Sequence, residues 1–237
     1  MSETSLQKKL NFVALVPARS GSKGLSGKNI KELNGLPLLA HSINPALECK
    51  RISQVFVNSD SKEYLSIGEK YGAKGYLRKK ENAGDDASLR DVMAEFCAFI
   101  KHEMQEINAI IVLYPTYPFR NSGDLNNILD AYENLEEGRS LIGLLEPKTH
   151  PYLIYNREDS GEIRQWSKYD PVKFYRRQDY PIAYELSHWA CVVPVNGVYG
   201  FDSQMINENT FGYFIKKKRI VDIDTIEDFK YAEYLCK

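Results

Sequence analysis

Short apolar runs alternate with longer amphipathic segments along the first 145 residues of the chain. Apolar runs of strand length occur at 12–17, 53–58, 73–77, 109–114 and 140–145. Helical spacing of apolar residues occurs between them, near 37–48, 61–71, 88–105 and 122–136. This alternation predicts an α/β fold with a mainly parallel, doubly wound sheet that helices cover on both faces. In such a sheet, ligands bind beyond the carboxyl ends of the strands.

The first predicted strand leads into a loop that is rich in glycine and in positive charge. Its glycines and cations are Gly21, Gly24, Gly27, Arg19, Lys23, Lys28 and Lys31. Glycines let backbone N–H groups approach a ligand closely, and basic side chains complement a polyphosphate. The loop therefore predicts a nucleotide or polyphosphate site, the alternative being a surface loop with solvated lysines. Its spacing fits neither G-x-x-x-x-G-K-[ST] nor G-x-G-x-x-G, which disfavours an ordinary P-loop ATPase or Rossmann dehydrogenase.

Two aspartates near the end of the sequence form a second candidate site. Asp222 and Asp224 fall at the end of a predicted strand, 219–223, where residues two apart point to the same face. Paired carboxylates suit Mg²⁺, which prefers a few carboxylates together with water and phosphate oxygens. Thr225 and Asp228 are spaced to cap a closing helix at 225–236. The aspartates could merely end the strand, but phosphate chemistry needs a counter-cation, which favours a metal site.

Composition and charge limit the class of protein. The 237 residues suit one large α/β domain, 1–237, with an excursion. The chain has 31 Lys and Arg against 32 Asp and Glu, a balance that argues against a nucleic-acid partner. The basic run 216–219 is interpreted as a solvated edge beside a strand. Four scattered cysteines indicate reduced thiols, and the lack of a signal-like or long apolar segment predicts a cytoplasmic protein without membrane association.

Residues 147–187 interrupt the alternation and are rich in Pro, Tyr, Arg and Asp. A hairpin is predicted around 159–161, and a strand returns at 189–195. Because this excursion cannot bury much core by itself, we interpret it as an arm that packs on another surface, such as a second subunit. The alternative is a long irregular loop, but loops of that length without a role are uncommon.

Seven stretches resemble one known enzyme family in the family's own order. They are Pro17–Gly24, Gly27–Ile30, Val57–Asp60, Arg78 with Asp85–Ser88, Tyr114–Arg120, Arg176–Asp179 and Asp222–Thr225. Together they resemble the bacterial acylneuraminate (CMP-sialic acid synthetase-like) cytidylyltransferases, which activate 2-keto-3-deoxy sugar acids. The resemblance implies a Rossmann-like, nucleotide-diphospho-sugar transferase type of sheet and a protruding dimerisation arm at 147–187.

The resemblance also implies a reaction, in which the anomeric hydroxyl of a sugar acid attacks the α-phosphate of CTP to give CMP-sugar and pyrophosphate. The expected acid is the nine-carbon N-acetylneuraminate, legionaminate or pseudaminate. The alternatives are an eight-carbon acid such as Kdo, a sugar phosphate as acceptor, or a non-catalytic nucleotide-binding protein. A sugar phosphate should require extra cations on the sugar side. The expected assembly is a homodimer.

Residue roles are carried over from the resemblance by position. Catalytic roles are implied for Arg19, Lys23, Lys28 and Asp224. Nucleotide contacts are implied for Ala18, Arg19, Ser22, Lys23, Lys28, Asn29, Arg78, Asp85 and Ser88. Sugar contacts are implied for Tyr114, Thr116, Arg177 and Gln178, and Mg²⁺ ligation for Asp222 and Asp224. Arg177 is expected to bind the sugar carboxylate of the other subunit, the alternative being a surface pair with Asp179 or Asp170.

Four positions depart from the usual family pattern. Tyr114 replaces a Gln that contacts the sugar, and Lys79 replaces a Pro. The stretch 185–188 replaces one that usually carries an Asn, and Leu153 replaces a Lys of some sialic-acid enzymes. Because most departures fall on the sugar side, the pattern supports CMP transfer more strongly than any particular sugar. For His188, a structural role is favoured over a catalytic one.

Overall fold

The computed structural model describes residues 10–21, 24–79, 82, 88–197, 200–216 and 220–237. Its strands are β1 (Phe12–Pro17), β2 (Glu32–Leu33), β3 (Leu36–Pro37), β4 (Ile52–Ser59), β5 (Lys74–Leu77), β6 (Ala109–Val112), β7 (Ser140–Leu145), β8 (Tyr155–Arg157), β9 (Ile163–Gln165), β10 (Glu185–Pro194) and β11 (Thr210–Phe214). Seven of them form the central sheet, in the order β11-β7-β10-β6-β1-β4-β5. Pairs β2–β3 and β8–β9 form two small antiparallel ribbons.

Five helices connect and close the sheet. They are α1 (Ala40–Glu48), α2 (Lys62–Lys70), α3 (Leu89–Glu103), α4 (Ser122–Glu133) and α5 (Ile226–Leu235). Each lies within a segment predicted to be helical. The predicted cap of α5 is confirmed: the Thr225 hydroxyl accepts from the Asp228 N–H (3.2 Å), and the Asp228 carboxylate accepts from the Thr225 N–H (2.8 Å).

The prediction of a mainly parallel sheet is confirmed. β10 runs antiparallel to both of its neighbours, whereas the other sheet strands are mutually parallel. Helices cover both faces, because α1, α2 and α4 pack on one cluster of buried residues and α3 packs on the other. Strand β1 lies between β4 and β6 and is wholly buried, so the loop that follows it leaves from the centre of the sheet.

The sequence prediction was wrong at the last strand. Residues 220–223 form no strand and do not pair with the sheet, and β11 occupies its edge instead. The 220–224 segment is held by other contacts: the Ile223 N–H donates to the Thr116 carbonyl (2.9 Å), and Val221 and Ile223 are buried against α5. β10 also begins earlier than predicted, at Glu185, inside the range assigned to the arm.

The excursion forms the predicted hairpin, with β8 and β9 on either side of Gly161. Its own aromatic cluster supports it, including Tyr152 and Tyr169 stacked 4.0 Å apart. Several large apolar side chains of the excursion nevertheless remain more than half exposed: Ile163, Trp166, Val172, Tyr175, Ile182 and Tyr184. All four cysteines are free thiols. Within the described ranges, no helix is long and apolar enough to cross a membrane.

Candidate active site

A cavity of about 670 Å³ opens at the carboxyl ends of the parallel strands. Its lining residues come from the loop after β1, the ends of β5 and β6, the start of α3, the β10 bulge and the segment before α5. They are Pro17, Arg19, Gly24, Lys28, Asn29, Arg78, Leu89, Val92, Tyr114, Pro115, Thr116, Tyr117, His188, Asp222 and Asp224. Its volume and its mixture of apolar and charged walls are typical of a small-molecule site.

The glycine loop and the aspartate pair meet in this cavity. A Cβ atom on Gly24 would lie 2.5 Å from the carbonyl oxygen of Asp224, so only glycine fits against this backbone. The ammonium of Lys28, which is largely buried, forms an ion pair with Asp224 (Nζ to Oδ1, 2.8 Å). These contacts join segments 196 residues apart in the chain. Glycine at position 24 is therefore needed for a contact within the protein, in addition to allowing a ligand to approach the loop closely.

Two side-chain contacts fix the loop to the sheet. The Asp60 carboxylate, which follows β4, accepts from the amide (2.8 Å) and the hydroxyl (2.6 Å) of Ser20. Burial opposes ionisation of Asp60, but these hydrogen bonds outweigh it and lower its pKa, so the carboxylate is charged at neutral pH. The buried Asn29 amide donates to the Arg19 carbonyl (2.9 Å). Asn29 is thus a structural support of the loop as well as a wall of the cavity.

Asp222 and Asp224 point to the same side although they do not lie in a paired strand. Burial alternates along this segment, with Val221 and Ile223 inside and the two aspartates outward. Both aspartates line the cavity, as their two-residue spacing predicted. Within the described part of the chain, no three His, Cys, Asp or Glu residues form a group that could hold a metal ion.

Another part of the cavity wall is formed by aromatic and basic side chains. Tyr114 packs its ring against His188, with centroids 5.4 Å apart. Burial raises the pKa of the Tyr114 hydroxyl and lowers the pKa of His188. Burial also lowers the pKa of Arg78, whose guanidinium donates to the side-chain oxygen of Asn58 on β4. These three side chains are half-buried, and at His188 the neutral imidazole is favoured over the charged one.

A buried arginine fixes this wall in place. The Arg120 guanidinium donates to the carbonyls of Tyr114 and Trp189 and to the Ser42 hydroxyl. These acceptors lie at the end of β6, on β10 and on α1, so one side chain links three elements behind the cavity. Burial lowers the pKa of Arg120, yet a guanidinium stays charged in proteins.

The structure brings most of the sequence-predicted site residues together. Those that line the cavity are Arg19, Lys28, Asn29, Arg78, Tyr114, Thr116, Asp222 and Asp224. Ser88 caps α3 instead: its hydroxyl accepts from the Asp91 N–H (3.2 Å) and donates to the Asp91 carboxylate (2.7 Å). Lys31 turns away towards α5, where its ammonium lies 5.1 Å from the Phe229 ring centroid. Ala18 is buried at the end of β1, and Ser22, Lys23 and Asp85 fall outside the described residues.

The predicted sugar-binding residues of the arm do not line this cavity. Arg177 lines a second cavity, of about 560 Å³, between the arm and the sheet edge, and Gln178 is exposed. The alternative for Arg177 was a surface ion pair with Asp179, and the neighbouring Arg176 forms that pair instead (Nε to Oδ2, 2.7 Å). Arg177 has no ion pair among the described residues, and its role stays a prediction.

Sequence reasoning missed Pro17, Leu89, Val92 and Tyr117 as lining residues, and it favoured a structural role for His188, which lies in the cavity wall. His188 faces the cavity because β10 carries a bulge: Ser187 pairs with Gly143 and Cys191 with Ile142, so three residues lie between. A bulge re-aims a side chain without leaving a clear local signal in the sequence.

Comparison with known proteins agrees with this geometry. A family model described as cytidylyltransferase matches residues 13–236. The chain belongs to the cytidylyltransferase family. One relative in the family is the N-acylneuraminate cytidylyltransferase of Escherichia coli O18:K1:H7, 30% identical over 93% of this chain. The match covers 51% of that relative, so this cytidylyltransferase spans about half the length of the first relatives it matches.

Two further proteins match this chain over nearly their whole lengths. The pseudaminic acid cytidylyltransferase of Campylobacter jejuni subsp. jejuni serotype O:2 is 28% identical, over 95% of this chain and 96% of its own length. The solved structure of a CMP:2-keto-3-deoxy-manno-octonic acid synthetase complexed with CTP superposes with a TM-score of 0.68. That match has 16% identity and covers 95% of this chain and 98% of the other. This superposition confirms the α/β fold of the chain.

Proposed function

We propose that this cytidylyltransferase transfers CMP from CTP to the anomeric hydroxyl of a nine-carbon 2-keto-3-deoxy sugar acid, releasing pyrophosphate. One observation carries the proposal: the basic glycine loop and the Asp222–Asp224 pair face the same cavity and are joined by the Lys28–Asp224 ion pair. Cations for a triphosphate and carboxylates for a divalent cation thus meet at one point. Because the reaction consumes CTP, we expect the enzyme to act in the cytoplasm. We also expect a single catalytic domain, from which residues 147–187 protrude as an arm.

The carboxylate pair fits a Mg²⁺ site. Both side chains are exposed to the cavity, and Asp224 already binds a positive charge, the ammonium of Lys28. Two carboxylates with open space beside them are what Mg²⁺ requires, since it retains water and accepts phosphate oxygens. When bound, Mg²⁺ would neutralise charge on the triphosphate and acidify a hydroxyl close to it.

The chain's own residues would supply positioning and charge. Arg19 and Lys28 line the cavity, where they can bind phosphate oxygens, and Arg78 adds a half-buried guanidinium to the cavity wall. Nucleotidyl transfer depends mainly on holding the attacking and leaving oxygens in line and on neutralising the charge that develops. Lys28 would exchange Asp224 for the phosphates as CTP enters. This exchange would open both carboxylates to the cation.

The acceptor would bind against the wall of Tyr114, Thr116 and His188. Apart from Arg78, this wall presents rings and neutral polar groups, and an extra pair of cations for a sugar phosphate is not found among its described residues. That composition favours a sugar acid over a sugar phosphate as acceptor. The relatives named for N-acylneuraminate and pseudaminic acid support a nine-carbon acid.

We further propose a homodimer in which Arg177 of one subunit binds the acid's carboxylate in the partner's cavity. The exposed apolar side chains of the arm support it, because a surface of this kind is typical of an interaction site. Arg177→Ala should raise the KM for the acid about tenfold or more while leaving the KM for CTP nearly unchanged, since one charged hydrogen-bonding partner is lost. Equal shifts in both constants would contradict the role of Arg177.

Mixing two impaired variants tests the exchange between subunits. Arg177→Ala and Asp224→Asn chains are denatured and refolded together, and activity is measured below the wild-type KM for the acid. If arms are exchanged, the mixed dimer holds one cavity with both Asp224 and the partner's Arg177, so activity rises above that of either variant alone. No gain, or a monomer in gel filtration, would contradict the exchange.

The proposed activity is tested by pyrophosphate release with CTP, Mg²⁺ and a panel of acids: N-acetylneuraminate, legionaminate, pseudaminate and Kdo. Release with a nine-carbon acid, and little with UTP or ATP, is expected. Release with Kdo alone would change the acceptor but keep the class. No release across the panel, with CTP still bound, would contradict the proposed function.

A further inference from the structure

The peptide unit between Arg19 and Ser20 is held on both sides by side chains of the protein. Its carbonyl oxygen accepts a hydrogen bond from the Asn29 amide (2.9 Å), and its N–H donates to the Asp60 carboxylate (2.8 Å). The Ser20 hydroxyl donates to the second oxygen of the same carboxylate (2.6 Å). Both oxygens of Asp60 thus bind one residue of the glycine loop, and these contacts fix the plane of the peptide.

These contacts continue the support that the sheet gives to the loop. The Ala18 N–H donates to the Asn58 carbonyl (2.9 Å), in line with the parallel pairing of β1 and β4. Two residues further along both segments, a side chain replaces the main-chain acceptor, because Ser20 donates to the carboxylate of Asp60. The carboxylate therefore extends the hold of β4 past the end of β1, as far as the peptide that follows Arg19.

The direction of the Arg19 side chain depends on this peptide. Arg19 lines the cavity, and its side chain branches from the Cα atom bonded to the peptide carbonyl. If the peptide turned, the guanidinium would be redirected, and the carbonyl oxygen with its partial negative charge would be free to face the phosphates. Groups that are fixed before the ligand arrives bind it more tightly, since less ordering is needed on binding.

The end of β4 supports another guanidinium of the cavity as well. The Arg78 N–H donates to the Ser59 carbonyl (2.9 Å), and the Arg78 guanidinium donates to the Asn58 side-chain oxygen. β4 lies between β1 and β5 in the sheet, so Arg78 is held on one side of its end and the loop with Arg19 on the other. One strand end thus sets the positions of two cavity-lining arginines relative to each other.

The charge of Asp60 by itself would oppose the binding of an anion. A carboxylate close to a polyphosphate site repels the ligand, so neutralising Asp60 would strengthen binding if charge alone mattered. Its hydrogen bonds predict the opposite, because their loss frees the peptide and leaves the Ser20 N–H without this acceptor. The sign of the change in affinity therefore distinguishes the two effects.

We propose that Asp60 is a positioning residue, which fixes the Arg19–Ser20 peptide so that the glycine loop binds the triphosphate of the nucleotide. This inference rests on the nucleotide site of the proposed function. It requires no transfer to an acceptor, so binding measurements test it separately from catalysis.

Calorimetric titration with CTP in the presence of Mg²⁺ tests the proposal. Asp60→Ala should weaken the binding of CTP about tenfold, and that of inorganic triphosphate, added as a competitor, by the same factor. Asp60→Asn should stay within about threefold of wild type, because an amide can still bond to both the N–H and the hydroxyl of Ser20.

Asp124→Ala is the matched control. The Asp124 carboxylate also accepts a hydrogen bond from a main-chain N–H, that of Asn121 (2.9 Å), but it does so in the cap of α4. This variant should bind CTP as wild type does. A loss equal to that of Asp60→Ala would show general destabilisation and overturn the proposal.

A double-mutant cycle tests whether the Ser20 hydroxyl acts through Asp60. Ser20→Ala should weaken CTP binding in the wild-type background and have little further effect in Asp60→Ala. Additive losses, unchanged or tighter CTP binding in Asp60→Ala, or unchanged binding of triphosphate would each overturn the proposal. Wild type that binds CTP but releases no pyrophosphate would contradict the proposed function and leave this inference standing. Wild type that binds no CTP would remove the nucleotide site, and the inference would fail with it.

Discussion

Replacing Asp224 with asparagine is expected to lower kcat/KM for CMP transfer by about a hundredfold or more. The change removes one of two carboxylate charges proposed to bind Mg²⁺ and also the partner of Lys28. Losing a single group that stabilises transition-state charge costs about 10²–10³ in rate. Because the Asp224 side chain is 69% exposed, the protein should stay folded. The measurement is steady-state kinetics over a range of Mg²⁺ concentrations, where excess Mg²⁺ should restore part of the activity.

Asp130→Asn is the control for this prediction. Asp130 is also an exposed aspartate in an ion pair, with Arg51, but it lies on α4 and does not line the cavity. Its substitution should leave kcat/KM unchanged, since exposed ion pairs contribute little. Unchanged turnover in Asp224→Asn at limiting Mg²⁺ would contradict the metal assignment.

Replacing Gly24 with alanine should produce the second largest effect. The new methyl group would lie 2.5 Å from the Asp224 carbonyl oxygen, so one of the two backbones has to move. Displacement of a reacting group by about 1 Å can cost about a hundredfold in rate. We therefore expect kcat/KM to fall between about ten- and a hundredfold, with weaker binding of both CTP and Mn²⁺.

Gly21→Ala provides a matched control in the same loop. A Cβ atom on Gly21 would meet nothing within 4 Å, so this substitution should leave activity near wild type. Equal losses in the two variants would show that the loop needs flexible glycines in general. Equal activity in both would show that the contact between Gly24 and Asp224 is unimportant.

The buried part of the fold was accessible from the sequence. β1 coincides with its predicted range because every residue in it is buried and apolar. β11 was missed because it is an edge strand whose Phe211 and Phe214 remain exposed, so it has no clear buried face. The two aspartates line the cavity although the predicted strand was wrong, because the two-residue alternation of burial at 221–224 persists without strand pairing.

The remaining features of the site depend on contacts that local sequence does not encode. His188 reaches the cavity wall through a β-bulge in β10, and Lys28 pairs with Asp224 across 196 residues of sequence. Ser88 caps α3, a role that the resemblance did not indicate, and its contact with the nucleotide stays a prediction. The proposed role of Arg177 requires a second subunit, so neither the sequence pattern nor a single subunit can test it.

In the proposed reaction, one phosphate remains between cytidine and the sugar acid in the product. This outcome can be measured by ³¹P nuclear magnetic resonance of a reaction with CTP, Mg²⁺ and an accepted acid. We expect one phosphodiester signal from CMP-sugar, growing at the same rate as the signal of free pyrophosphate. A pair of coupled phosphate signals in the sugar product, or CTP that is bound but never consumed, would contradict it.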